Sequence, residues 1–152
     1  MALSTDPQTG DDYLVYVTGT IPADDAAAKL TANYDQVGLA DQISLDSIAE
    51  EIETRYFGGV SVKYGSNKIT GSLRASAPVL LDDGQDALTA AHEAQPKTLV
   101  AYLVQTGVPG SKGYHGTAYV GGEAFSAQAG NESAKLSWTL GVVTKVPFTV
   151  AA

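Results

Sequence analysis

Residues 98–105 read Thr-Leu-Val-Ala-Tyr-Leu-Val-Gln, and this stretch decides the fold because every residue between its two polar ends is apolar. Alternate side chains of a strand point to opposite faces of its sheet, so the run predicts a strand with two apolar faces. Such a strand needs cover on both sides. In this interpretation the core of the chain supplies one cover, and assembly with a neighbouring copy is a hypothesis for the other.

Three further segments after this strand are typical of β-hairpins. They read Gly-Thr-Ala-Tyr-Val over residues 116–120, Lys-Leu-Ser-Trp-Thr-Leu over residues 135–140 and Lys-Val-Pro-Phe-Thr-Val over residues 145–150. Glycine-rich breaks separate the segments, and the break at residues 107–113 fits a hairpin loop. Trp138 alternates with leucines in the second segment, so we assign it to the core rather than to a ligand platform.

The first half of the chain contains one strand signal and one ambiguous segment. Residues 13–18 alternate as a first strand, and residues 20–40 lack sustained periodicity and are interpreted as a long connection. Residues 43–54 fit either a helix that starts at a capping residue or an alternating strand. We favour the strand, because the sequence that follows is typical of a hairpin.

A two-stranded excursion and one helix come next. The excursion spans residues 56–73 and is predicted to turn at the Gly-Ser-Asn sequence of residues 65–67. The helix is predicted to begin after a capping aspartate, Asp82 or Asp83, and to end before Pro96. Its shallow apolar stripe favours close packing on a sheet. The sequence thus predicts a fold that is mainly β with one short α-helix.

Composition and charge disfavour several classes of function. The chain contains no cysteine, which excludes disulfides, thiolate metal sites and cysteine nucleophiles. Its net charge is −8, and residues 1–55 hold eleven acidic groups against two basic ones. Tight nucleic-acid binding needs clustered lysine and arginine, so this balance argues against it. We interpret the acidic half as a solvated face, with a DNA-repelling surface as the alternative.

The length of 152 residues predicts a single domain with a substantial core. Residues 1–12 are polar and predict an arm that is loose in the monomer. They lack a basic n-region and an apolar run, so we expect neither a signal peptide nor a membrane anchor, and a product retained in the cytoplasm.

Catalytic and cofactor sites are not predicted. The two histidines, His92 and His115, have no metal-ligand partner at a recognisable spacing, and we expect both to be structural. The paired aspartates do not fit a calcium loop, and the glycine-rich break at residues 107–113 lacks phosphate-loop spacing. Two carboxylates across a cleft would make a glycosidase, but nothing in the pattern selects such a pair. We therefore expect a non-enzyme with no catalytic residue, cofactor or metal.

The order of these elements resembles the major tail, or tail tube, proteins of long-tailed bacteriophages and related archaeal viruses. The resemblance covers roughly residues 37–150, and it rests on the order of the elements and on the general character of their sequences. The residues that carry it are Val-Gly at 37–38, Ile-Ser-Leu at 43–45, Asn-Lys-Ile-Thr-Gly-Ser-Leu at 67–73, the helix at 87–94, the strand at 98–104, Gly-Thr-Ala-Tyr-Val at 116–120 and Leu-Ser-Trp-Thr-Leu-Gly at 136–141.

The resemblance implies a β-sandwich or rolled sheet flanked by a helix, whose protomers form hexameric rings with a shared inner β-barrel. Rings of this kind stack into a tube through which viral double-stranded DNA is ejected without specific binding. The implied partners are other copies of the chain and the tape-measure, initiator and terminator proteins of the tail, with no membrane. The implied location is the virion tail, assembled in the host cytoplasm. Barrel closure also removes exposed strand edges.

By the same resemblance, subunit contacts are expected in two regions. The excursion at residues 56–73 and the polar arm at residues 1–12 would reach adjacent rings and order on assembly. The strand at residues 98–104 is the other surface expected to need external cover. The predicted subunit-interface residues are Tyr56, Phe57, Tyr64, Lys68, Leu99, Tyr102 and Val104.

Two alternatives remain open from the sequence. A capsid decoration or tail-completion (terminator) protein would share the β content and acidity without forming a long tube. A monomeric binding module is the third interpretation. Stacking separates them, because a tube subunit needs two complementary faces that propagate, whereas a completion ring presents one end that does not.

Overall fold

The structure is a computed structural model, and it describes residues 13–77, 82–127, 129–130 and 134–151. The predicted N-terminal arm over residues 1–12 lies outside the described residues. Within these ranges the elements are β1 (Leu14–Thr18), α1 (Asp25–Ala28), a 3₁₀ turn (Thr31–Asn33), β2 (Asp35–Gln36), β3 (Ala40–Tyr56), β4 (Gly59–Ser76), α2 (Asp83–Glu93), β5 (Leu99–Gln105), β6 (Lys112–Ser126) and β7 (Lys135–Thr149).

All the strands belong to one open antiparallel sheet in the order β2-β1-β5-β6-β7-β4-β3. Val15 on β1 and Ile43 on β3 come from opposite ends of this order, yet both pack on the same core cluster. The sheet therefore curves around a single core. The expectation of a mainly β fold with one short α-helix is confirmed for the sheet and for α2, and the four-residue helix α1 was not predicted.

The core lies between the concave face of the sheet and α2. Trp138 is 1 % exposed, and Leu73, Leu88 and Val120 are also fully buried. Burial of each such side chain contributes roughly 1.5–3 kcal/mol relative to exposure. The assignment of Trp138 to the core is confirmed.

The cover on the second face of β5 comes from the chain itself, which corrects the hypothesis that a neighbouring copy supplies it. Ala101 and Leu103 on that face are buried against Tyr34, with Phe148 packed beside them. The Tyr34 hydroxyl donates a hydrogen bond to the carbonyl of Ala28 at 2.8 Å. The long connection before β3 is thus a strap across the back of the sheet, so β5 is satisfied on both faces within one protomer.

A hydrogen bond between a carboxylate and a histidine fastens this strap to the sheet. Asp24 caps α1 by accepting from the Ala27 amide, which fixes the short helix at the edge of the strap. Asp25 Oδ1 lies 3.0 Å from Nε2 of the buried His115 on β6, and Asp25 Oδ2 lies 2.9 Å from Lys29 Nζ. Lys29 first, and His115 in addition, hold the pKa of Asp25 below its usual value. His115 is therefore structural, as expected.

The start of α2 confirms the predicted aspartate cap. Asp82 Oδ1 accepts from the Gln85 amide at 2.8 Å, and its Oδ2 accepts from the Gly38 amide at the same distance. The side chain of Gln85 is buried and donates to the Gly38 carbonyl at 2.9 Å. One carboxylate thus caps the helix and ties it to the segment before β3.

The segment at residues 43–54 is a strand, as favoured, but the predicted turn at residues 65–67 is wrong. The chain reverses at Phe57 and Gly58, where Gly58 has φ +101°, and Tyr56 pairs with Gly59. Residues 65 and 66 lie inside β4, where together they oppose the single residue Glu50. Residues 65 and 66 therefore form a β-bulge, a role that glycine within a strand often has, and Asn67 is paired with Ala49.

Gly116→Ala is expected to destabilise the protein, because a Cβ at this position of β6 would lie 1.9 Å from the backbone oxygen of Thr144. The cost of such overpacking is about 1–3 kcal/mol or more. Gly121→Ala on the same strand is the matched control, since its nearest neighbour would be Thr139 O at 3.9 Å. Urea unfolding measures both free energies. Equal midpoints for the two variants would contradict the close β6–β7 approach.

Candidate subunit interface

The hairpin of β3 and β4 extends beyond the rest of the sheet. β4 leaves β7 at the pair Ile69↔Val142, and beyond this point β3 and β4 pair only with each other in the described part of the chain. We call residues 47–68 the arm. Over residues 47–65 and 67–68 its side chains are exposed, apart from that of half-buried Ser61.

The arm carries exposed apolar side chains on both faces. Cross-strand partners share a face, so Ile52 lies with Lys63 on one side, and Tyr64 lies with Glu51 on the other. Exposed apolar groups in such number on a monomer mark an interaction surface. The exposed large apolar residues of the arm are Ile48, Ile52, Tyr56, Phe57, Val60, Val62 and Tyr64.

The structure brings four of the seven sequence-predicted interface residues together on the arm. Tyr56, Phe57, Tyr64 and Lys68 all project into solvent there, and Phe57 at the turn is fully exposed. Their role in subunit contact stays a prediction, and the arm is the surface on which these four residues would make that contact.

The other three predicted interface residues lie on β5, away from the arm. Leu99 is half buried, while Tyr102 and Val104 belong to the core. The Tyr102 hydroxyl donates to the Thr144 carbonyl at 2.8 Å, and burial raises the pKa of this phenol. Tyr102 and Val104 therefore offer no surface to a neighbouring subunit, because the strap and the core already cover β5.

Several strand edges have no partner among residues 13–77, 82–127, 129–130 and 134–151, and two of them bound the unit formed by β3, β4, β7 and the distal part of β6. β3 pairs with β4 on one side and with no strand on the other. β6 pairs with β5 only as far as Tyr119, so its stretch from residue 121 to residue 126 pairs with β7 alone. Free edges of this length are templates for pairing with another chain.

The convex face of β3, β4, β7 and β6 is polar and has no cover among the described residues. The Ser44 and Ser72 hydroxyls lie 2.8 Å apart across β3 and β4, and Ser137 and Thr139 continue this surface on β7. We call it the hydroxyl face. Sequence reasoning missed it, although the alternation of Leu136, Trp138 and Leu140 with small polar residues on β7 is its signal.

A charge cluster lies at the base of the hydroxyl face. Asp41 Oδ1 accepts from Arg74 Nε at 2.8 Å, and Asp41 Oδ2 lies 2.7 Å from Lys135 Nζ. Lys135 also donates to the Ser76 hydroxyl at 2.9 Å. The hydrogen bonds from Arg74 and Lys135 lower the pKa of Asp41 from its usual value of 3.8. The cluster joins β3, β4 and β7.

An open groove of about 710 Å³ lies at the base of the arm on the concave side. Lys145 Nζ stands at its wall, 4.8 Å from the centre of the Tyr114 ring, and donates to the Leu45 carbonyl at 3.2 Å. We call it the basal groove. Its lining residues are Tyr13, Val15, Ala40, Asp41, Gln42, Ile43, Leu45, Val104, Tyr114 and Lys145.

The described residues contain no group of three or more histidine, aspartate or glutamate side chains placed to hold a metal ion. No helix of the described ranges combines the length and the apolar character that crossing a bilayer requires. The surfaces described above are strand edges, the arm, the hydroxyl face and the basal groove.

The fold is shared with solved structures of tail tubes and injection machines. The SPP1 tail tube aligns over 96% of this chain and 81% of that chain, with a TM-score of 0.69 and 16% sequence identity. The anti-feeding prophage baseplate aligns over 98% and 100%, with a TM-score of 0.67 and 10% identity. The sheath/tube terminator of the extracellular contractile injection system PVC, in its extended state, aligns over 97% and 100%, with a TM-score of 0.64 and 15% identity.

No family model and no curated protein matches the chain. The likeness to the solved structures is therefore one of fold, at low sequence identity. At that level it confirms the resemblance to tail-tube proteins that the sequence indicated.

Asp41→Asn is expected to lower the free energy of unfolding by about 0.5–1 kcal/mol at pH 7, because it removes two partly exposed ion pairs. The pKa of Asp41 is lower in the folded protein than in the unfolded chain, so this stabilisation is complete above pH 4 to 5 and is lost as the pH falls through the lowered folded-state pKa.

The measurement is urea unfolding of the wild type and the variant from pH 7 down to pH 2.5. The difference between them should shrink below pH 3.8. Asp46→Asn is the matched control on the same strand, since the described residues show no ion pair for Asp46, and it should change stability by less than about 0.5 kcal/mol. A difference that is constant with pH would contradict the assigned ion pairs.

Proposed function

We propose that this chain is a structural virion protein, the protomer of hexameric rings that stack into a tail tube through which viral DNA is ejected. The observation that carries the proposal is β3, a 17-residue edge strand with one free edge and a row of exposed apolar side chains. A monomeric protein normally blunts such an edge. The likeness in fold to the SPP1 tail tube supports the same role.

Lateral closure follows from the order of strands between the two free edges. β3, β4, β7 and the distal part of β6 form a four-stranded antiparallel unit. Because the number of strands is even, β6 of one copy runs opposite to β3 of the next copy around a ring. Each junction is then an ordinary antiparallel ladder, and closure satisfies both free edges.

The uncovered face of this unit would line the channel. The concave face is occupied by α2 and by the strands β1 and β5, so a ring that closes through the four strands leaves the hydroxyl face for the inside. Ser44, Ser72 and Thr139 offer no net charge to passing phosphates. The two basic groups at its base, Arg74 and Lys135, are both paired with Asp41. DNA would therefore move past without tight binding.

The proposed role also implies contacts with other tail proteins and a location in the virion. The arm, and the N-terminal residues 1–12, would contact the adjacent ring. Tape-measure, initiator and terminator proteins would occupy the lumen and the two ends of the tube. The protein would work without catalysis or cofactor, in the virion tail, after assembly in the host cytoplasm.

A terminator or completion role is the second candidate, and one observation favours it specifically. The fold is also that of a chain in the PVC sheath/tube terminator, at a TM-score of 0.64. The same free edges would close a terminator ring, but such a ring would not stack indefinitely.

Negative-stain electron microscopy of the purified chain over a concentration series tests the proposal. We expect rings with an open lumen that stack into tubes as the concentration rises, because both free edges and the arm are unsatisfied in the monomer. A uniform population of single rings would favour the terminator role. Monomers that persist at high concentration, and also after addition of the tail initiator, would contradict both roles.

Removal of the arm should abolish stacking without unfolding the protein. The variant replaces residues 49–67 by Asn-Gly, which joins the paired residues Ile48 and Lys68 through a two-residue turn. The rest of the fold should remain, because the deleted residues pair only with each other. Circular dichroism and thermal unfolding check the fold, and electron microscopy checks assembly. Thr54→Ser is the control that keeps the full arm. Normal tubes from the shortened chain would contradict the proposed role of the arm.

A further inference from the structure

We propose that the tip of the arm, Tyr56 and Phe57, inserts into the basal groove of another copy of the chain. This inference rests on the proposed function, because it specifies the contact that links one ring to the next. It identifies the occupant of the groove as a second copy of this chain.

The tip has the chemistry of an anchor rather than that of a solvated turn. Turn positions in water favour glycine, proline, asparagine, aspartate and serine. Here Phe57 precedes Gly58, and its side chain is fully exposed beside the exposed ring of Tyr56. Aromatic side chains that insert into pockets dominate the energetics of protein interfaces.

The basal groove has the size and lining to receive these rings. An apolar cavity of about 150 Å³ accepts a benzene ring, and the groove is about 710 Å³. Val15, Ile43 and Leu45 supply apolar wall, while Tyr13 and Tyr114 supply aromatic surface. Leu45 and Ile43 are only partly buried in the protomer, so an incoming ring would remove more of their surface from water.

Charge in the groove also suits an aromatic occupant. Lys145 Nζ already lies 4.8 Å from the centre of the Tyr114 ring, a cation–π distance, and its bond to the Leu45 carbonyl holds the ammonium at the wall. The aromatic ring of an inserted Tyr56 or Phe57 would lie close to the same ammonium group. Near the tip, Arg55 and Glu53 pair with each other at 3.0 Å, so the entering segment brings no unbalanced charge.

The groove that receives the tip must belong to a different copy. Leu45 and Phe57 are twelve residues apart at the two ends of one extended hairpin, which corresponds to about 40 Å. The tip therefore cannot reach its own groove. Because tip and groove lie at opposite ends of the arm, the contact is heterologous and propagates from copy to copy with an axial repeat of at most about 40 Å.

Chemical cross-linking tests the contact, since the chain has no native cysteine. Gly59→Cys puts a thiol beside the tip while leaving Phe57 in place, and its Cβ would meet nothing closer than 3.5 Å. Ala40→Cys puts a thiol in the wall of the groove, at a half-buried position that packs on the core side of the sheet. Assembled tubes of the double variant, treated with a short bismaleimide, should give a ladder of covalent multimers beyond the dimer in a denaturing gel.

The matched control pairs Gly59→Cys with Thr139→Cys, an exposed position on the hydroxyl face, and should give no ladder. Tubes that form normally but yield no ladder from the 59/40 pair would overturn the docking and leave the tail-tube role intact. A wild-type chain that gives no assemblies, even after addition of the tail initiator, would overturn both proposals.

Substitution at the tip supplies a second readout that does not need cross-linking. Phe57→Ser should raise the concentration required for tube formation at least tenfold, while Phe57→Leu should raise it much less, because it keeps an apolar anchor. Both variants should unfold at the wild-type temperature, since Phe57 is fully exposed in the monomer. Tubes of Phe57→Ser that form at the wild-type concentration would overturn the proposal.

Discussion

The antiparallel ladder between β6 and β7 is the interaction on which the rest of the structure depends. It runs from Lys112↔Thr149 to Ser126↔Lys135, so the two strands are paired along their whole length. β5 joins only one half of β6, and β4 joins only the opposite half of β7. The ladder therefore holds together two parts of the sheet that share no other strand. The approach of Gly116 to Thr144 shows how closely the two strands must pack.

The two parts differ in how far a single protomer satisfies them. Around β5 the strap covers one face and the core covers the other, and a hydrogen bond between Asp25 and His115 holds the strap in place. Around β3 the backbone has a free edge, and the arm exposes apolar groups on both faces. The first part gives the molecule a stable body. The second part favours association, because a second chain would pair with the free strand edge and bury the exposed apolar surface.

The sequence predicted those features whose signals are local. The strand at β5, the core position of Trp138 and the cap at Asp82 each depend on residues close together in the chain. The turn at residues 65–67 was misassigned because Gly-Ser-Asn is a stronger turn signal than Phe57-Gly58 when the partner strand is unknown. The strap over β5, the basal groove and the hydroxyl face join residues far apart in sequence, so periodicity alone did not reveal them. Tyr102 and Val104 were expected at an interface for the same reason: their cover comes from core residues far away in the sequence, such as Val15 and Leu73.

The even number of strands between the two free edges has a consequence for ring size. Any number of copies would join β3 to β6 through the same ladder, so hydrogen bonding does not count subunits. The diameter must come from the bend between neighbouring strands. Bulges lie within this unit at Asp41, at residues 65–66 and at Gly121, and each one increases twist and bends its strand. In the proposed ring, the number of subunits would then depend on these backbone irregularities, and inserting or deleting one bulge residue would change the bend between strands and with it the width of the channel.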